Sequence, residues 1–310
     1  MSPSVKGNLM MLVAKTFSGL NQNALRYLLP QWMSATTGVV MRLGGGTLLF
    51  LTYWLFTKTH MPKPRIKDTI LLLLTGLVFV FGYMWALLAG LSYTTPISSS
   101  IFISLQPIFV FIICLIIHTE KSTVKKVAGM LIGFGGALLC VLTQHGSEVA
   151  SNPLKGNMLC LLGAGFYAFY LVVEKRFIPR YGSAMVSLLT FGGALIGSIS
   201  LIFLFGWNAP VLKQGLFSAP MLVLIFVLVF PSFISYLLQD FSLKLLPTTV
   251  VALYSDLILV VSAVASYILG QDKFSWWQLI AVALMLLSVY LVEASESEPT
   301  ATPTTTTDTK

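Results

Sequence analysis

The sequence predicts an all-α integral membrane protein in which ten transmembrane helices form two inverted five-helix repeats. Hydrophobic residues make up 56% of the 310-residue chain and charged residues only 10%, which leaves too little polar surface for a water-soluble globule of this size. Apolar stretches of about 20 residues, the length that a helix needs to cross a bilayer, recur along the chain. A similar segment also opens both halves of the sequence.

The spans are expected between the charged clusters and prolines that interrupt the apolar sequence. They lie near residues 9–29, 34–56, 68–91, 95–117 and 124–143 in the first half and near 156–178, 184–206, 219–241, 246–269 and 275–293 in the second. Each is long enough to cross a hydrocarbon core of roughly 30 Å. The chain therefore divides into a first repeat at 6–143, a second repeat at 156–293 and a tail at 294–310, whose threonine- and proline-rich composition predicts disorder.

Individual residues set the limits of these spans. Pro30 follows the first span, basic residues at 58–67 follow the second, and Pro179 follows the sixth. The fourth and ninth spans each end in an acid followed by lysine, at 120–121 and 272–273, and each is followed by a polar start to the next helix.

The two halves share their opening segment. KGNLMMLVAKTFSGLNQNALRYLLP at 6–30 and KGNMLCLLGAGFYAFYLVVEKRFIP at 155–179 both begin Lys-Gly-Asn and end in proline, with a constant spacing of 149 residues. A second pair, at 91–121 and 243–273, is spaced by 152 residues. Because five spans, an odd number, separate the copies, the second repeat enters the membrane upside down. Inverted repeats supply the symmetry that alternating access requires.

The basic residues indicate the orientation of the chain. With the N-terminus inside, cytoplasmic segments hold 13 of the Lys and Arg residues and outer segments only four, so the positive-inside rule places both termini in the cytoplasm. The charges form no stripe with interleaved aromatics, which argues against nucleic acid as a partner. We expect a multi-pass protein of the bacterial inner (plasma) membrane, with the lipid bilayer as its surroundings.

No residue pattern indicates a cofactor or a metal. Cys114, Cys140 and Cys160 fall inside or at the edge of apolar spans without paired spacing, so neither disulfides nor a metal site is expected. No GxxxxGK[ST] motif is present, which argues against direct coupling to ATP. Residues 9–29 are not followed by a cleavage pattern, so we expect this segment to be retained.

Several motifs resemble those of a known family. They are Arg42 in MRLGGGTLLFL, Pro107 in SLQP, Glu120, and GMLIGFGGALLCVL at 129–142, with LKLLPTTVVAL and SWWQLIAVALMLLSVYL in the second half. The chain is therefore similar to the ten-span drug/metabolite transporters built of two EamA-type repeats. This resemblance implies a secondary transporter, with export as its direction, and no enzyme. In the second repeat, Leu259 stands at the position that corresponds to Pro107. The resemblance therefore does not predict a proline kink in the ninth span.

Glycines and one proline are candidates for helix packing. Gly44, Gly129 and Gly133 lack side chains where helices are expected to touch, which favours close backbone approach; flexible hinges are the alternative. Pro107 removes a backbone hydrogen bond within the fourth span, and the freed carbonyl either faces a cavity or belongs to a simple kink.

Polar residues within apolar spans indicate where a substrate would bind, since a charge near the bilayer centre costs about 2.5–3.5 kcal/mol unless it has a partner or water. Three charges, those of Lys15, Arg42 and Asp256, lie inside spans. Helical spacing adds further candidates for a cavity lining, namely Gln22, Gln106, Tyr167, Tyr170, Gln239 and Tyr254. Hydrogen bonding between helices, or an ion pair among the charges, is the alternative role.

Two cations and one anion would bind a carboxylate and tolerate an amine, and tyrosines would hold an apolar body. We therefore expect a small-molecule substrate, namely amino acids or similar small amphiphilic metabolites and drugs. Asp256 and Glu174 are the candidates for proton coupling, with facilitated diffusion as the alternative.

Other classes of protein remain as rivals. A lipid or sugar-lipid flippase would use the same fold. A membrane-embedded enzyme is a distant alternative, because His60, His118 and His145 lie far apart in sequence at span ends or in loops. A channel is disfavoured because no ring of charges or carbonyl-lined filter is evident. The sequence gives no indication of the oligomeric state.

Overall fold

The computed structural model describes residues 3–57, 64–117, 123–143, 151–246, 248–271 and 275–296. Within these segments the secondary structure is helical, with no strand. The α-helices are α1 (Pro3–Leu28), α2 (Ala35–Thr57), α3 (Ile66–Thr75), α4 (Phe81–Leu91), α5 (Pro96–Ile103), α6 (Gln106–Ile116), α7 (Val124–Thr143), α8 (Pro153–Tyr181), α9 (Ser183–Phe205), α10 (Ala219–Val229), α11 (Ser235–Leu245), α12 (Thr248–Leu253), α13 (Ser255–Ile268) and α14 (Trp276–Glu296).

The protein is a multi-pass membrane protein. Across the described residues, seven helical segments are long and apolar enough to cross a bilayer: Ala35–Thr57, Ile66–Leu91, Pro96–Ile116, Pro153–Tyr181, Ser183–Phe205, Ala219–Leu245 and Val250–Ile268. These correspond to seven of the ten spans expected from the sequence. Helices α1, α7 and α14, with 26, 20 and 21 residues, are not among the seven. Helix α1 carries Lys6, Lys15, Arg26 and three consecutive amide side chains at 21–23, which lower its mean hydropathy.

Local capping explains several helix boundaries. At the start of α8, the Asn152 side chain accepts a hydrogen bond from the backbone N–H of Lys155 (3.2 Å), and Pro153 occupies the first turn, where its missing N–H costs nothing. The sixth span does not stop at Pro179 as expected, because α8 continues through it to Tyr181. It ends at Gly182, whose φ of 79° lies in the left-handed region that favours glycine.

Two spans are interrupted by π-helical turns. Gly76–Val80 lies between α3 and α4, and Phe230–Ile234 lies between α10 and α11. These are the third expected spans of the first and second halves. A π turn adds one residue to a helical turn and is frequent at functional sites.

Two other spans are broken into pairs of helices. Helix α5 ends at Ile103 and α6 begins at Gln106, while α12 ends at Leu253 and α13 begins at Ser255. Pro107 stands in the first turn of α6, so it begins a helix instead of kinking one. The ninth span is also broken, although Leu259 stands where the first repeat has Pro107.

The broken spans contact each other directly. The Ser255 hydroxyl donates to Gln106 Oε1 at 2.9 Å, across 149 residues of sequence. Each break lies in the fourth expected span of its half.

Helices α1 and α8, which open the two halves, run in opposite directions. Gly7, near the start of α1, lies against Leu245 and Leu246 at the end of α11. Lys175, near the end of α8, reaches the same place and donates to the backbone oxygen of Leu246 at 2.5 Å. The start of α1 and the end of α8 thus share one end of the molecule.

Close backbone contacts hold the first half against the second. A Cβ on Gly193 in α9 would overlap the carbonyl of Leu73, and a Cβ on Gly76 would overlap the carbonyl of Thr190. Because these two glycines have no side chain, the helices approach closely and gain van der Waals contact that lipid does not replace.

The glycines expected to pack differ in their surroundings. At Gly133 a Cβ would lie 2.6 Å from Ser288 Oγ of α14, and the same hydroxyl donates to the carbonyl of Gly129 at 2.6 Å. Gly44 has room, because the nearest atom to its Cβ, Leu195 Cδ1, would be 3.7 Å away. In the same glycine run the close approach falls on Gly46, whose Cβ would lie 2.7 Å from the Phe191 ring.

Candidate functional site

A polar cavity lies inside the helix bundle between the two halves. Helices α1, α2, α4 and α6 contribute to it from the first half, and α8, α11, α13 and the second π turn contribute from the second. The described residues that line it are Ala14, Lys15, Ser18, Asn21, Gln22, Arg42, Tyr83, Gln106, Tyr167, Pro231, Ser235, Tyr236, Gln239 and Ile258. The space open to the centre of a water molecule is ≈ 20 Å³, enough for about one water and too little for an amino acid.

Lys15 places a cation in the cavity wall. Its side chain is only 4% exposed, and its amine donates to Gln239 Oε1 at 2.9 Å and to the Tyr167 hydroxyl at 3.4 Å. The amine also lies 5.2 Å from the centre of the Tyr167 ring, and a positive charge at this position is attracted to the electrons of the ring. Among the described residues no carboxylate forms an ion pair with Lys15.

Arg42 contributes a second buried cation from α2. The residue is 2% exposed, and its Nε donates to the Ser232 hydroxyl at 3.0 Å. Ser232 lies in the second π turn and donates in turn to the carbonyl of Val227 at 2.7 Å. The π turn therefore orients the hydroxyl that holds Arg42. The Nη1 atom of Arg42 is buried and has no hydrogen-bond partner in the described structure.

Three further atoms of the cavity wall are buried without a hydrogen-bond partner in the described part of the chain. They are Asn21 Oδ1, Ser235 Oγ and Gln239 Nε2. Buried polar atoms are rarely left unpaired, because each unmade hydrogen bond costs roughly 1–3 kcal/mol. With Arg42 Nη1, the wall thus offers two nitrogen donors, one hydroxyl and one amide oxygen acceptor to a ligand.

Tyrosines form the aromatic side of the cavity. The rings of Tyr83 and Tyr167 are 4.8 Å apart, and the ring of Tyr236 packs edge-on against Phe191 at 4.9 Å. The Tyr167 hydroxyl donates to Gln239 Oε1. These rings would contact an apolar or aromatic part of a bound solute.

The structure gathers six of the nine predicted cavity residues around one space. These are Lys15, Gln22, Arg42, Gln106, Tyr167 and Gln239. Tyr170 lies next to the cavity, with its ring 5.8 Å from that of Tyr167, and Tyr254 lies at the break between α12 and α13. The side chain of Asp256 lies outside the described structure, as do Glu120 and the tail beyond Glu296.

Sequence reasoning missed Tyr83 and Tyr236. Tyr236 is three positions before Gln239, so the helical spacing that singled out Gln239 could have included it. Tyr83 has a weaker signal, because it is a single hydroxyl within an otherwise apolar helix.

A pair of buried carboxyl groups lies beside the cavity. Glu174 and Asp240 are both 0% exposed, and each has one carboxyl oxygen, Oε2 of Glu174 and Oδ1 of Asp240, without a hydrogen-bond partner among the described residues. The Tyr170 hydroxyl donates to Glu174 Oε1, and the Ser187 hydroxyl donates to Asp240 Oδ2. Asp240 was missed because a single acid at the end of an expected span, four residues before Lys244, is typical of an interface residue.

Contacts between the halves close both ends of the molecule. At one end, Ser34 N–H donates to the carbonyl of Asn208 at 3.0 Å, and Val211 N–H donates to the carbonyl of Trp32 at 2.9 Å. At the other end, Asp68 of α3 accepts a hydrogen bond from Tyr181 and lies 3.6 Å from Arg180.

The chain is similar to known membrane transporters along nearly its whole length. The profile of the EamA-like transporter family matches residues 5–142 and 154–294. "Uncharacterized transporter YyaM" of Bacillus subtilis is 25% identical over 284 residues, covering 91% of each chain. "Thiamine-repressible mitochondrial transport protein THI74" of Saccharomyces cerevisiae is 27% identical over 235 residues, covering 74% of this chain and 64% of the yeast protein.

One solved crystal structure has the same fold, with a TM-score of 0.67 over 94% of this chain and 99% of the other at 18% identity. The relatives are transporters, and neither the flippase nor the enzyme alternative gains support from them.

Proposed function

Because this chain belongs to the EamA-like transporter family, we propose that it is a secondary transporter that exports amino acids or similar small amphiphilic metabolites carrying a carboxylate. The observation that carries this proposal is the set of unpartnered polar atoms around two buried cations. Arg42 Nη1 and Gln239 Nε2 are donors without acceptors in the described structure, and Lys15 lies beside Gln239. A carboxylate would satisfy these donors and neutralise positive charge in the same step.

The chemistry of the donors favours a carboxylate. A guanidinium group presents parallel N–H donors that match the two oxygens of a carboxylate, and such charge-assisted hydrogen bonds are about twice as strong as neutral ones. Because Nε of Arg42 is held by Ser232, the guanidinium is oriented before the solute arrives. This preorganisation favours binding, since less freedom is lost when the complex forms.

The amine of an amino acid would need an acceptor. Asn21 Oδ1 has no donor among the described residues, and we propose it for this role together with Asp256. The rings of Tyr83 and Tyr236 would contact the side chain of the solute, so the cavity suits solutes with an apolar part.

Alternating access accounts for the closed cavity. We propose ten spans, with α1, α7 and α14 crossing the membrane in addition to the seven apolar segments, in two inverted repeats at 6–143 and 156–293. The opposite directions of α1 and α8 support the inversion, and the paired helix breaks and paired π turns support the repeat. The end that holds Arg180 and Lys175 would face the cytoplasm of a bacterial cell, with both termini.

Counterflow in proteoliposomes tests the solute site. Purified protein is reconstituted with an unlabelled amino acid inside, and entry of labelled amino acids and organic acids is measured for each solute in turn. We expect Arg42→Gln and Lys15→Gln each to reduce carboxylate flux at least tenfold, since a charge-assisted hydrogen bond of about 1.5–3 kcal/mol is lost. Lys155→Gln is the matched control, because this exposed cation lies over Tyr93 and outside the cavity. Equal flux through all three variants would rule out the proposed site.

A further inference from the structure

We propose that a groove at the end of the molecule that holds Lys175 binds one anionic phospholipid, with an acyl chain against apolar side chains and the phosphate at Lys175 and Arg176. The described residues that line the groove are Leu71, Cys114, Ile117, Val172, Val173, Lys175, Arg176, Phe177 and Thr248. None of them lines the central cavity, so the lipid is independent of the transported solute.

The groove is much larger than the central cavity. The space open to the centre of a water molecule is ≈ 460 Å³ in the groove and ≈ 20 Å³ in the central cavity. The larger volume is typical of pockets that hold small organic ligands. Six of the nine described lining residues are apolar, and an acyl chain would give their side chains van der Waals contacts along its length. Hydrocarbon therefore suits the greater part of the groove.

The walls of the groove continue into the apolar surface of the protein. On α8, Phe169 follows Leu162 by seven residues and Val172 follows Phe169 by three, so the three share one side of the helix. Phe169 and Leu162 are exposed, as are Leu71 on α3 and Ile117 after α6. In a chain that crosses a bilayer, exposed apolar side chains such as these contact acyl chains. A ligand of the groove can therefore come directly from the surrounding lipid.

The apolar and charged residues of the groove follow the order of the parts of a phospholipid. On α8, Val172 precedes Lys175 and Arg176 by three and four residues, about one helical turn. The helix ends soon afterwards, at Tyr181. The two cations therefore lie nearer the membrane surface than the apolar residues do. Thr248, the first residue of α12, adds a hydroxyl group to the lining.

Both cations can bind a phosphate group. The Lys175 amine donates to the carbonyls of Leu243 and Leu246, and a protonated amine has a third N–H to offer. Arg176 is exposed, and no acidic side chain in the described part of the chain forms an ion pair with it. Basic pockets between helices at the cytoplasmic side bind anionic lipid headgroups. The distribution of basic residues predicts that this end is cytoplasmic.

A lipid in the groove would connect the two halves of the protein. Helices α3 and α6 line the groove from the first half, and α8 and α12 line it from the second. Asp68 also joins the halves at this end, where it accepts a hydrogen bond from Tyr181. Because a ligand stabilises the state to which it binds, the lipid would favour the arrangement in which the halves meet at this end.

Thermal unfolding tests the role of the headgroup. Phosphatidylglycerol, or phosphatidylcholine with the same acyl chains, is added to delipidated protein in detergent, and the melting temperature is measured at each concentration. We expect phosphatidylglycerol to cause the larger rise. Arg176→Gln should weaken its apparent affinity about fivefold, which is the effect of one cation near an anionic headgroup. Lys6→Gln is the matched control, because it removes an exposed cation at the same end outside the lining of the groove.

Three results of this titration would overturn the lipid site. The first is an equal rise with the two lipids or no rise with either, and the second is wild-type affinity in Arg176→Gln. The third is a rise of the same size with glycerol 1-phosphate alone, which would show that the cations bind soluble phosphate esters without an acyl chain.

Native mass spectrometry tests the role of the acyl chain. The number of phosphatidylglycerol molecules that each protein retains is counted after release from the detergent micelle. We expect one per wild-type chain and at least fivefold lower occupancy in Val172→Phe, whose ring would fill part of the groove. Leu162→Phe is the control, because it places the same ring on the exposed side of α8 outside the groove. Equal occupancy in the two variants would overturn the site, and Arg176→Gln decides the question if Val172→Phe does not fold.

Discussion

Arg42 shows how a single residue can be fixed in place and still be available to a ligand. One nitrogen of its guanidinium is held by Ser232, whose hydroxyl is positioned by the π turn, while Nη1 has no partner in the described structure. Lys15 is held in a similar way by Gln239 and Tyr167. Both cations are thus oriented by neutral groups, which leaves their charge available to an incoming anion.

Replacing Gln239 by glutamate separates charge from packing. The side chains have nearly the same shape, and the introduced carboxylate would form an ion pair with Lys15, whose amine is 2.9 Å from the present Oε1. We therefore expect Gln239→Glu to keep or raise the melting temperature while counterflow of carboxylate solutes falls at least tenfold, because the new charge repels the solute. Gln239→Leu, which leaves the Lys15 amine with fewer partners, should lower the melting temperature. Normal carboxylate flux through Gln239→Glu would contradict a carboxylate site beside Lys15.

Residue-level prediction from sequence succeeds where the physical signal is strong. Lys15 and Arg42 stand out because a charge in an apolar span is costly, and the structure places both in one cavity. Asp240 gives no comparable signal, since its burial depends on Ser187 and Glu174, which approach it only after the helices pack.

At the scale of helices, the interruptions follow tertiary contacts more than local sequence. The break at Tyr254 has no proline, and it is Ser255 at the start of α13 that contacts Gln106 in the other half. The first π turn likewise contains no proline, and its Gly76 packs on the backbone of Thr190. Apolar spans can therefore be predicted from sequence, whereas their internal breaks depend on partners that are distant in the chain.

Two adjacent glycines in α9 test the close helix contact. A Cβ at Gly193 would overlap the backbone carbonyl of Leu73, whereas a Cβ at Gly192 would meet no atom of the described residues within 4 Å. Gly193→Ala should destabilise the purified protein by about 1–3 kcal/mol through overpacking, measured as a lower melting temperature in detergent. Gly192→Ala should leave the melting temperature nearly unchanged. Equal melting temperatures for the two variants would mean that α3 and α9 are not in backbone contact.

We expect the contact between the broken helices to contribute more to the stability of the protein than Pro107 does. Ser255→Ala removes the donor to Gln106 Oε1 and should lower the free energy of unfolding by about 1 kcal/mol. Pro107→Ala should have a smaller effect, because the proline lies in the first turn of α6, where no hydrogen bond is lost. Ser200→Ala serves as a control, since within the described residues the Ser200 hydroxyl donates to the carbonyl of Gly197 in its own helix. A larger loss from Pro107→Ala, measured by thermal unfolding, would show that the proline maintains the break.

At the scale of the whole molecule, the two halves are joined at both ends while the cavity between them is nearly filled. The loop before α10 is fastened to the α1–α2 turn by backbone hydrogen bonds, and Asp68 is fastened to the end of α8. Transport by alternating access requires these two sets of contacts to open in turn. Pairs of engineered cysteines can show whether they do.

Cross-linking the Asn208 loop should stop transport. Ser34 N–H and the Asn208 carbonyl are 3.0 Å apart, so cysteines at these two positions lie within reach of a short bifunctional thiol reagent. In a protein without its three native cysteines, we expect the cross-linked Ser34→Cys/Asn208→Cys variant to lose most counterflow. A cleavable reagent should allow recovery after reduction, and each single-cysteine variant should be insensitive. Undiminished flux in the cross-linked protein would mean that this end stays closed during transport.

The contact between Gln106 and Ser255 also bears on how such a chain could be assembled from separate pieces. Across a twofold axis, two identical subunits bring a residue that lies on the axis against its own copy. Here the two positions that meet hold an amide and a hydroxyl, which complement each other. A homodimer of the first half would instead oppose two glutamines and one of the second half two serines, so we expect the halves, expressed as independent polypeptides, to prefer each other over themselves.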